Sequence, residues 1–205
     1  SKGKAFCAGQ DLIEATDPKG PSLTQIVEEH YNPIITTIRN IEKPVVAAVN
    51  GVAAGAGASI ALCCDIVVAC ESASFIQAFS KIGLIPDSGA TFFLPRIIGM
   101  QRATGLMMTA EPISAKDAIK IGMIYKLYTD DTFEAESWKL ITMLASMPTK
   151  GLALTKQLLN ESYSNNLKEQ LEKEKIYQTI AGKTNDYKEG TEAFLQKRKP
   201  NFKGE

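Results

Sequence analysis

Between residues 45 and 62 the chain reads VVAAVNGVAAGAGASIAL, an apolar run followed by small residues and then by a helix-forming run. Five consecutive apolar residues from Val45 predict a buried strand, and Asn50-Gly51 predicts the turn that ends it. A helix is expected to begin near Gly57, where unpaired backbone N–H groups and the helix dipole favour negative charge. Such a helix start suits an oxyanion. Neither GxGxxG nor GxxxxGK[ST] is present, so the segment does not predict a nucleotide-phosphate loop.

Two further segments accompany this one in chain order: residues 3–12, GKAFCAGQDL, and the tail at residues 186–202, DYKEGTEAFLQKRKPNF. Together the three resemble the crotonase (enoyl-CoA hydratase/isomerase) superfamily over nearly the whole chain. The resemblance implies that two loops each offer one backbone N–H to the thioester carbonyl of an acyl-CoA. By position the donors are Ala8 and Ala56, with Gly55 and Gly57 lining the pocket.

The resemblance also implies an α/β fold, a spiral of β-β-α turns, with a C-terminal helical region for oligomerisation. Residues 1–130 are expected to form the acyl-CoA-binding core. Residues 131–205 are expected to form helices that pack trimers, or hexamers made of two trimers. The family's domain normally begins with strands that precede the first donor loop, so we expect those opening strands to be missing from this sequence.

Local patterns place the elements. Ser22 to Gln25 is a capping-box pattern that opens a helix, and Pro33 inside that helix is expected to kink it. The β-α-β alternation after residue 45 is typical of α/β folds. The predicted strands are 45–49, 65–70 and 125–128, and the predicted helices are 57–63, 114–121, 131–146, 149–162, 166–181 and 186–196.

The acid–base residue is the open chemical question, because an oxyanion hole alone only stabilises an enolate. The family's hydratases use two glutamates, and their positions match Ser59 and Phe79 in this sequence, neither of which is a carboxylate. Asp87 remains, and the resemblance favours it as a single acid–base group. The residues alone favour a different role, since Asp before Ser-Gly-Ala-Thr is a natural helix N-cap.

The resemblance therefore implies an acyl-CoA isomerase. Such an enzyme is expected to convert 2-(1,2-epoxy-1,2-dihydrophenyl)acetyl-CoA to its oxepin form, or to shift Δ3 double bonds of enoyl-CoAs to Δ2, or both. Phe79 and Ser59 are expected to line the acyl pocket. Two readings stay open: a hydratase-like enzyme with unconventional residues, and a non-catalytic acyl-CoA-binding scaffold. The CoA moiety is expected to contact residues from the first loop and the tail: Gln10, Asp11, Leu12, Lys197 and Lys199.

Composition limits the remaining function classes. The 205 residues carry 23 basic and 23 acidic side chains, so no overall charge attracts nucleic acid or an acidic membrane. No uninterrupted apolar segment approaches the roughly 20 residues that span a bilayer. Four cysteines and one histidine show no metal-ligand spacing, which predicts no metal and no cofactor beyond the substrate's CoA. Free cysteines of this kind favour a reducing, cytoplasmic compartment.

Overall fold

The computed structural model describes residues 3–205, and the contacts within the chain divide it into two compact units. The first unit joins the chain up to Arg39 with Val45–Ser137. The second joins Asn40–Pro44 with Trp138–Glu205. The two units carry different architectures, strands with helices in the first and helices in the second.

Two sheets form the first unit. One has the strand order β1-β3-β5-β6 and the other β2-β4-β7. All pairings are parallel except that between β5 and β6. The strand bounds are β1 Ala5–Cys7, β2 Val46–Val49, β3 Val52–Ala54, β4 Ile66–Cys70, β5 Ser74–Ile76, β6 Ile113–Ser114 and β7 Lys126–Tyr128.

The chain winds through these sheets as the predicted spiral of β-β-α turns. β2 lies in the three-stranded sheet, β3 lies in the four-stranded sheet, and helix α4 (Ala56–Cys63) follows. The next turn repeats this order with β4, β5 and helix α5 (Ala90–Ile98). Short strands suffice because each is held by its neighbours in earlier and later turns. β3 was not among the predicted strands, and neither were β1, β5 and β6.

A hydrophobic core of the first unit combines residues from both sheets and from the helices packed on them. Val49 and Phe75 come from the two sheets, and Leu94 comes from α5; all three are almost fully buried. Burying side chains of this size contributes roughly 1.5–3 kcal/mol each. The remaining helices of this unit are α1 Leu12–Thr16, α2 Leu23–Gln25, α3 Asn32–Asn40, α6 Met100–Thr109, α7 Ala115–Lys120 and the first part of α8, Phe133–Ala145.

The helical run from Leu23 to Asn40 differs from its prediction in one respect. Its capping box is present, with Ser22 Oγ accepting from Gln25 N and Gln25 Oε1 accepting from Ser22 N. Pro33 does not simply kink a regular helix. A π-helical turn, Ile26–Tyr31, immediately precedes α3. Proline lacks an N–H and its ring crowds the carbonyl four residues earlier, so a widened turn before it relieves both problems.

Helices alone form the second unit, close to the predicted bounds. After α8 come α9 Thr149–Glu161, α10 Leu167–Ala181 and α11 Asn185–Leu195. Tyr177 donates from its hydroxyl to Glu161 Oε1 at 3.0 Å, which joins α10 to α9. The buried Asp186 carboxylate accepts from the backbone N–H groups of Lys203 and Gly204 at 2.7 and 2.8 Å and fixes the tail. Within residues 3–205, no helix has the length and apolar character needed to cross a bilayer.

Candidate active site

The two expected donor segments meet at the carboxyl ends of β1 and β3. These strands are parallel neighbours, with Ala5 opposite Val52 and Cys7 opposite Ala53. Carboxyl ends of parallel strands lie at the same edge of a sheet, so Ala8 follows β1 beside the start of α4. The approach is close, because a Cβ atom on Gly9 would lie 3.0 Å from Ala54 O and 3.2 Å from Ala56 N. The structure thus places the segment that carries Ala8 close to Ala56.

Helix α4 begins at this junction. Gly55 is its N-cap residue, with φ +53°, a conformation that glycine adopts without the steric cost of a Cβ. Ala56 and Gly57 are its first two residues, and first-turn N–H groups have no acceptor within their helix. A Cβ on Gly57 would overlap the Cys7 carbonyl oxygen, so this position needs a glycine. Backbone donors and a helix dipole therefore converge on one point beside Ala8.

The third strand of the sheet ends at the same edge. β5 pairs with β3 in parallel, and Gly55 N donates to Ile76 O at 2.9 Å. Gln77 follows directly and is 2 % exposed, yet within residues 3–205 neither polar atom of its amide has a hydrogen-bond partner. Buried polar groups are paired in the great majority of proteins. An orphaned amide beside a helix start is a mark of a ligand site.

The two positions that carry glutamates in hydratases are chemically inert in this chain. Ser59 is 1 % exposed, and its hydroxyl donates to Gly55 O at 3.2 Å within α4. Phe79 is 7 % exposed and lies in a 3₁₀ turn, Ala78–Ile82, that contacts α6. A hydroxyl already engaged in its own helix and a buried phenyl ring offer no proton to water.

Asp87 is the half-buried carboxylate of the following loop. Burial raises the pKa of its carboxyl, and a hydrogen bond from Ser88 Oγ to Asp87 Oδ1, 2.9 Å, opposes that rise. A carboxyl whose pKa is raised toward neutrality is better suited to take and return a proton. The turn after it is strained, since Ser88 is buried with φ +52°, a conformation uncommon outside glycine.

The alternative prediction for Asp87, as the N-cap of α5, is wrong. The N-cap residue is Gly89, and no side chain caps this helix. Asp87 contributes only its backbone carbonyl, which accepts from Ala90 N at 2.9 Å. Its carboxyl group is left without a capping role because the left-handed residues Ser88 and Gly89 turn the chain before the helix begins.

Tyr31 is a member of the site that sequence reasoning missed. It ends the π-helical turn and is half-buried. Burial raises the pKa of its phenol most, followed by electrostatic repulsion from Cys7, Asp87 and Glu14. The phenol therefore lies within electrostatic reach of both the first donor segment and the candidate base. Tyr31-Asn32-Pro33 was among the stretches that resemble the family, but no role was predicted for the phenol; the π-helical turn that ends at Tyr31 is of a kind frequent at functional sites.

The residues expected to bind CoA have other roles in the structure or are exposed. Asp11 is the N-cap of α1 and accepts from Ile13 N at 2.9 Å. Gln10 Nε2 donates to a Glu14 carboxylate oxygen at 2.8 Å, and Leu12 is half-exposed. Lys197 and Lys199 are exposed residues at the end of the second unit. Their contact with CoA stays a prediction.

The arrangement can perform one type of chemistry by itself. Backbone donors can hold an enolate oxygen, and a carboxyl of raised pKa can carry a proton between two carbons. Residues 3–205 contain no group of three or more His, Cys, Asp or Glu side chains placed to hold a metal ion.

Comparison with known proteins gives consistent matches over the full chain. The sequence profile of the enoyl-CoA hydratase/isomerase family matches residues 1–205. A 1,2-epoxyphenylacetyl-CoA isomerase from Escherichia coli (strain K12) is 49% identical over 205 residues, covering 98% of this chain and 78% of that protein. A protein named "Probable enoyl-CoA hydratase" from Rhodobacter capsulatus is 43% identical, with 98% and 78% coverage. The crystal structure of an enoyl-CoA hydratase from Polaromonas sp. JS666 superposes with a TM-score of 0.89 at 35% identity, covering 98% of this chain and 79% of that one.

Proposed function

Because the chain belongs to the enoyl-CoA hydratase/isomerase family, and is an enzyme of the isomerase/hydratase type, we propose that it is an acyl-CoA isomerase with Asp87 as its single acid–base group. One observation carries this choice. Asp87 is a half-buried carboxyl of raised pKa, whereas the two hydratase positions hold Ser59 and Phe79. An isomerase needs one group that moves one proton, and a hydratase needs two groups that handle a water.

The proposed reaction is a proton shift within a thioester. Asp87 removes a proton from the α-carbon, and the electron pair moves onto the thioester oxygen as an enolate. The N–H groups of Ala8 and Ala56 hold that oxygen, and the loss of one such donor typically costs ~10²–10³ in rate. Asp87 then returns the proton to a carbon further along the conjugated system. Atoms and charge balance without a cofactor, and we propose none beyond the CoA of the substrate.

For the acyl group we propose a ring epoxide. The relative from Escherichia coli is named for 1,2-epoxyphenylacetyl-CoA. In 2-(1,2-epoxy-1,2-dihydrophenyl)acetyl-CoA the carbon–carbon bond shared by the six-membered ring and the epoxide breaks, and its electron pair joins the π system of the resulting seven-membered oxepin. Asp87 then moves a proton from the α-carbon to a ring carbon, which gives the conjugated oxepin form with no atom gained or lost. Such a proton shift also moves a Δ3 double bond of an enoyl-CoA to Δ2, which we propose as a second activity of the site. Buried Phe79 adds apolar surface that suits either acyl group.

For the assembly we propose a homotrimer, or a hexamer built from two trimers. The second unit exposes large apolar side chains along its helices, among them Trp138, Leu167, Phe194 and Leu195, each more than half exposed. Exposed apolar surface on this scale marks association surfaces in proteins of known structure. Sedimentation equilibrium of the protein measures the copy number directly.

The proposed chemistry is tested by α-proton exchange in deuterated water. The assay follows 3-hexenoyl-CoA with the wild type, Asp87→Asn and the control Asp117→Asn, which alters an exposed carboxylate of the same unit. We expect exchange and double-bond migration in the wild type and the control, and neither in Asp87→Asn with thioester binding retained. Equal exchange in all three proteins would remove Asp87 from the mechanism. Hydration of 2-hexenoyl-CoA without migration would favour the hydratase reading, and binding without any reaction would favour a scaffold.

A further inference from the structure

Tyr31 offers a polar group that the proposed proton shift does not use. Within residues 3–205 its hydroxyl has no hydrogen-bond partner, although the side chain is half-buried. The Tyr31 oxygen is reached by solvent and is unpaired within residues 3–205, so it is available to a ligand atom.

Packing fixes the phenol on the side of the candidate base. Ile35 lies one helical turn after Tyr31, on the same face of the helical run. A Cβ on Gly89, two residues after Asp87, would lie 3.6 Å from Ile35 Cγ2, so this face of the helix abuts the start of α5. Arg39, a further turn along, stacks over the Phe93 ring with its guanidinium carbon 5.6 Å from the ring centroid. The two turns that follow Tyr31 thus hold the helix against the segment that carries Asp87.

The Tyr31 phenol lies within electrostatic reach of the Asp87 carboxyl group, and no hydrogen bond joins the two groups. Cys7, directly before Ala8, and Glu14 of α1 also interact electrostatically with this phenol. Tyr31 is therefore near both the thioester end of the site, at Ala8, and the proton carrier, so an acyl group that extends from one to the other can meet its hydroxyl.

A phenol in this position recognises oxygen. It donates one hydrogen bond, and its raised pKa keeps the proton in place at neutral pH, so it serves a neutral ether or epoxide oxygen. A hydrocarbon chain gives it no acceptor. A site that has a hydrogen-bonding group for a substrate oxygen discriminates against the analogue lacking that oxygen, because its own polar group is then left unpaired.

We propose that the Tyr31 hydroxyl donates a hydrogen bond to the oxygen carried by the acyl ring and so selects oxygen-bearing cyclic acyl groups over hydrocarbon ones. This rests on the proposed function, in that it assumes an acyl-CoA bound with its thioester at Ala8 and Ala56. Tyr31 keeps its proton throughout, and no bond to it forms or breaks. The residue acts by orienting the ring so that the α-carbon and the proton-accepting ring carbon both face Asp87.

A binding experiment with unreactive thioesters tests the selection without relying on turnover. Calorimetry compares tetrahydropyran-2-ylacetyl-CoA with its carbocyclic match, cyclohexylacetyl-CoA, on the wild type, Tyr31→Phe and the control Tyr125→Phe, which removes an exposed hydroxyl of the same unit. A neutral hydrogen bond is worth about 0.5–1.5 kcal/mol, so we expect the wild type and the control to prefer the ring ether by up to about tenfold. Tyr31→Phe should bind both thioesters equally.

Two results overturn the proposal. One is a wild type that binds the two thioesters equally, a measurement that needs no variant and is immune to misfolding. The other is a preference for the ring ether that survives in Tyr31→Phe. Turnover measurements distinguish the role of Tyr31 in substrate selection from the proposed isomerase function. Loss of isomerisation in Asp87→Asn tests the proposed function. Substrate selection by Tyr31 is tested separately: Tyr31→Phe should lower kcat/KM for the ring epoxide and leave kcat/KM for 3-hexenoyl-CoA unchanged.

Discussion

Gly57 allows the sharpest test of how the donor site is built, through the substitution Gly57→Ala. Alanine in a helix is normally more stable than glycine by about 0.5–1 kcal/mol. At this position the added Cβ would overlap the Cys7 carbonyl oxygen and lie 2.7 Å from Cys7 Cβ and 2.8 Å from its carbonyl carbon. Backbone atoms cannot swing aside as a flexible side chain can, so β1 and α4 must move apart.

The expected cost follows from the size of that displacement. Overpacking a well-packed site costs about 1–3 kcal/mol, and in a chain of this length 1 kcal/mol lowers Tm by about 2–4 °C, which gives a fall of about 2–12 °C. Because Ala8 follows Cys7 directly, the first donor moves as well. Misplacing a reacting group by about 1 Å can lower kcat by about 10²-fold.

The assay pairs calorimetric melting with kcat on 3-hexenoyl-CoA, and Gly105→Ala is the matched control. Gly105 is a helical glycine of α6 in the same unit, and a Cβ there meets nothing within 4 Å. The control should therefore melt at or slightly above the wild-type temperature with unchanged kcat. If Gly57→Ala melts as the control does and keeps its kcat, β1 and α4 adjust freely and close contact does not hold the donors in place.

Two carboxylates are expected to give opposite dependences of stability on pH. Burial raises the pKa of Asp87 above its ordinary 3.8, so the ionised carboxylate destabilises the folded state. The variant Asp87→Asn should therefore have a higher Tm than the wild type at pH 7. This difference in Tm should vanish below pH 3.8, where the carboxyl group is protonated in the folded and the unfolded state. A Tm unchanged at pH 7 would contradict the desolvation of Asp87. Glu189 behaves in reverse: its bidentate pairing with Arg198 and a bond from Asn201 N lower its pKa to about 2. The variant Glu189→Gln should therefore have a lower Tm than the wild type at pH 7, and this difference in Tm should disappear as the pH falls from 4.5 to 2. A difference in Tm that persists at pH 2 would show that the ion pair with Arg198 is not its cause.

The sequence predicted the elements whose patterns are long and periodic. The helices at Thr149–Glu161 and Leu167–Ala181 were expected within one residue of their observed bounds, because an apolar stripe over several turns leaves little choice. β3 was missed because Val52, Ala53 and Ala54 give neither alternation nor bulk. This strand is stable only because β1 and β5 flank it, and pairing with neighbours distant in the chain is not visible in a local pattern.

The candidate site also contains features that the sequence predicted and features that it did not. The resemblance located Ala8 and Ala56, and β1 beside β3 explains why residues so far apart in sequence meet. The orientation of Asp87 was beyond a local pattern, since the rule that makes Asp an N-cap assumes an ordinary turn before the helix. Ser88 and Gly89 both adopt positive φ, which moves the cap to Gly89 and leaves the Asp87 carboxyl without a capping role, with Ser88 Oγ as its hydrogen-bond donor.

The position of Tyr31 likewise depends on an irregular backbone that local sequence rules do not predict. Proline at position 33 would ordinarily cost a helix interior about 3 kcal/mol, yet the helical run continues through it by widening into a π turn. That turn changes the register between Ile26, which is buried, and Tyr31, which is only half-buried. A π-helical turn contains about one residue more than an α-helical turn. In a regular α-helix, each side chain before Pro33 would therefore be rotated by about 100° relative to α3, the angle that one residue spans. The π-helical turn therefore sets the rotation at which the Tyr31 phenol comes within electrostatic reach of Asp87 and Cys7.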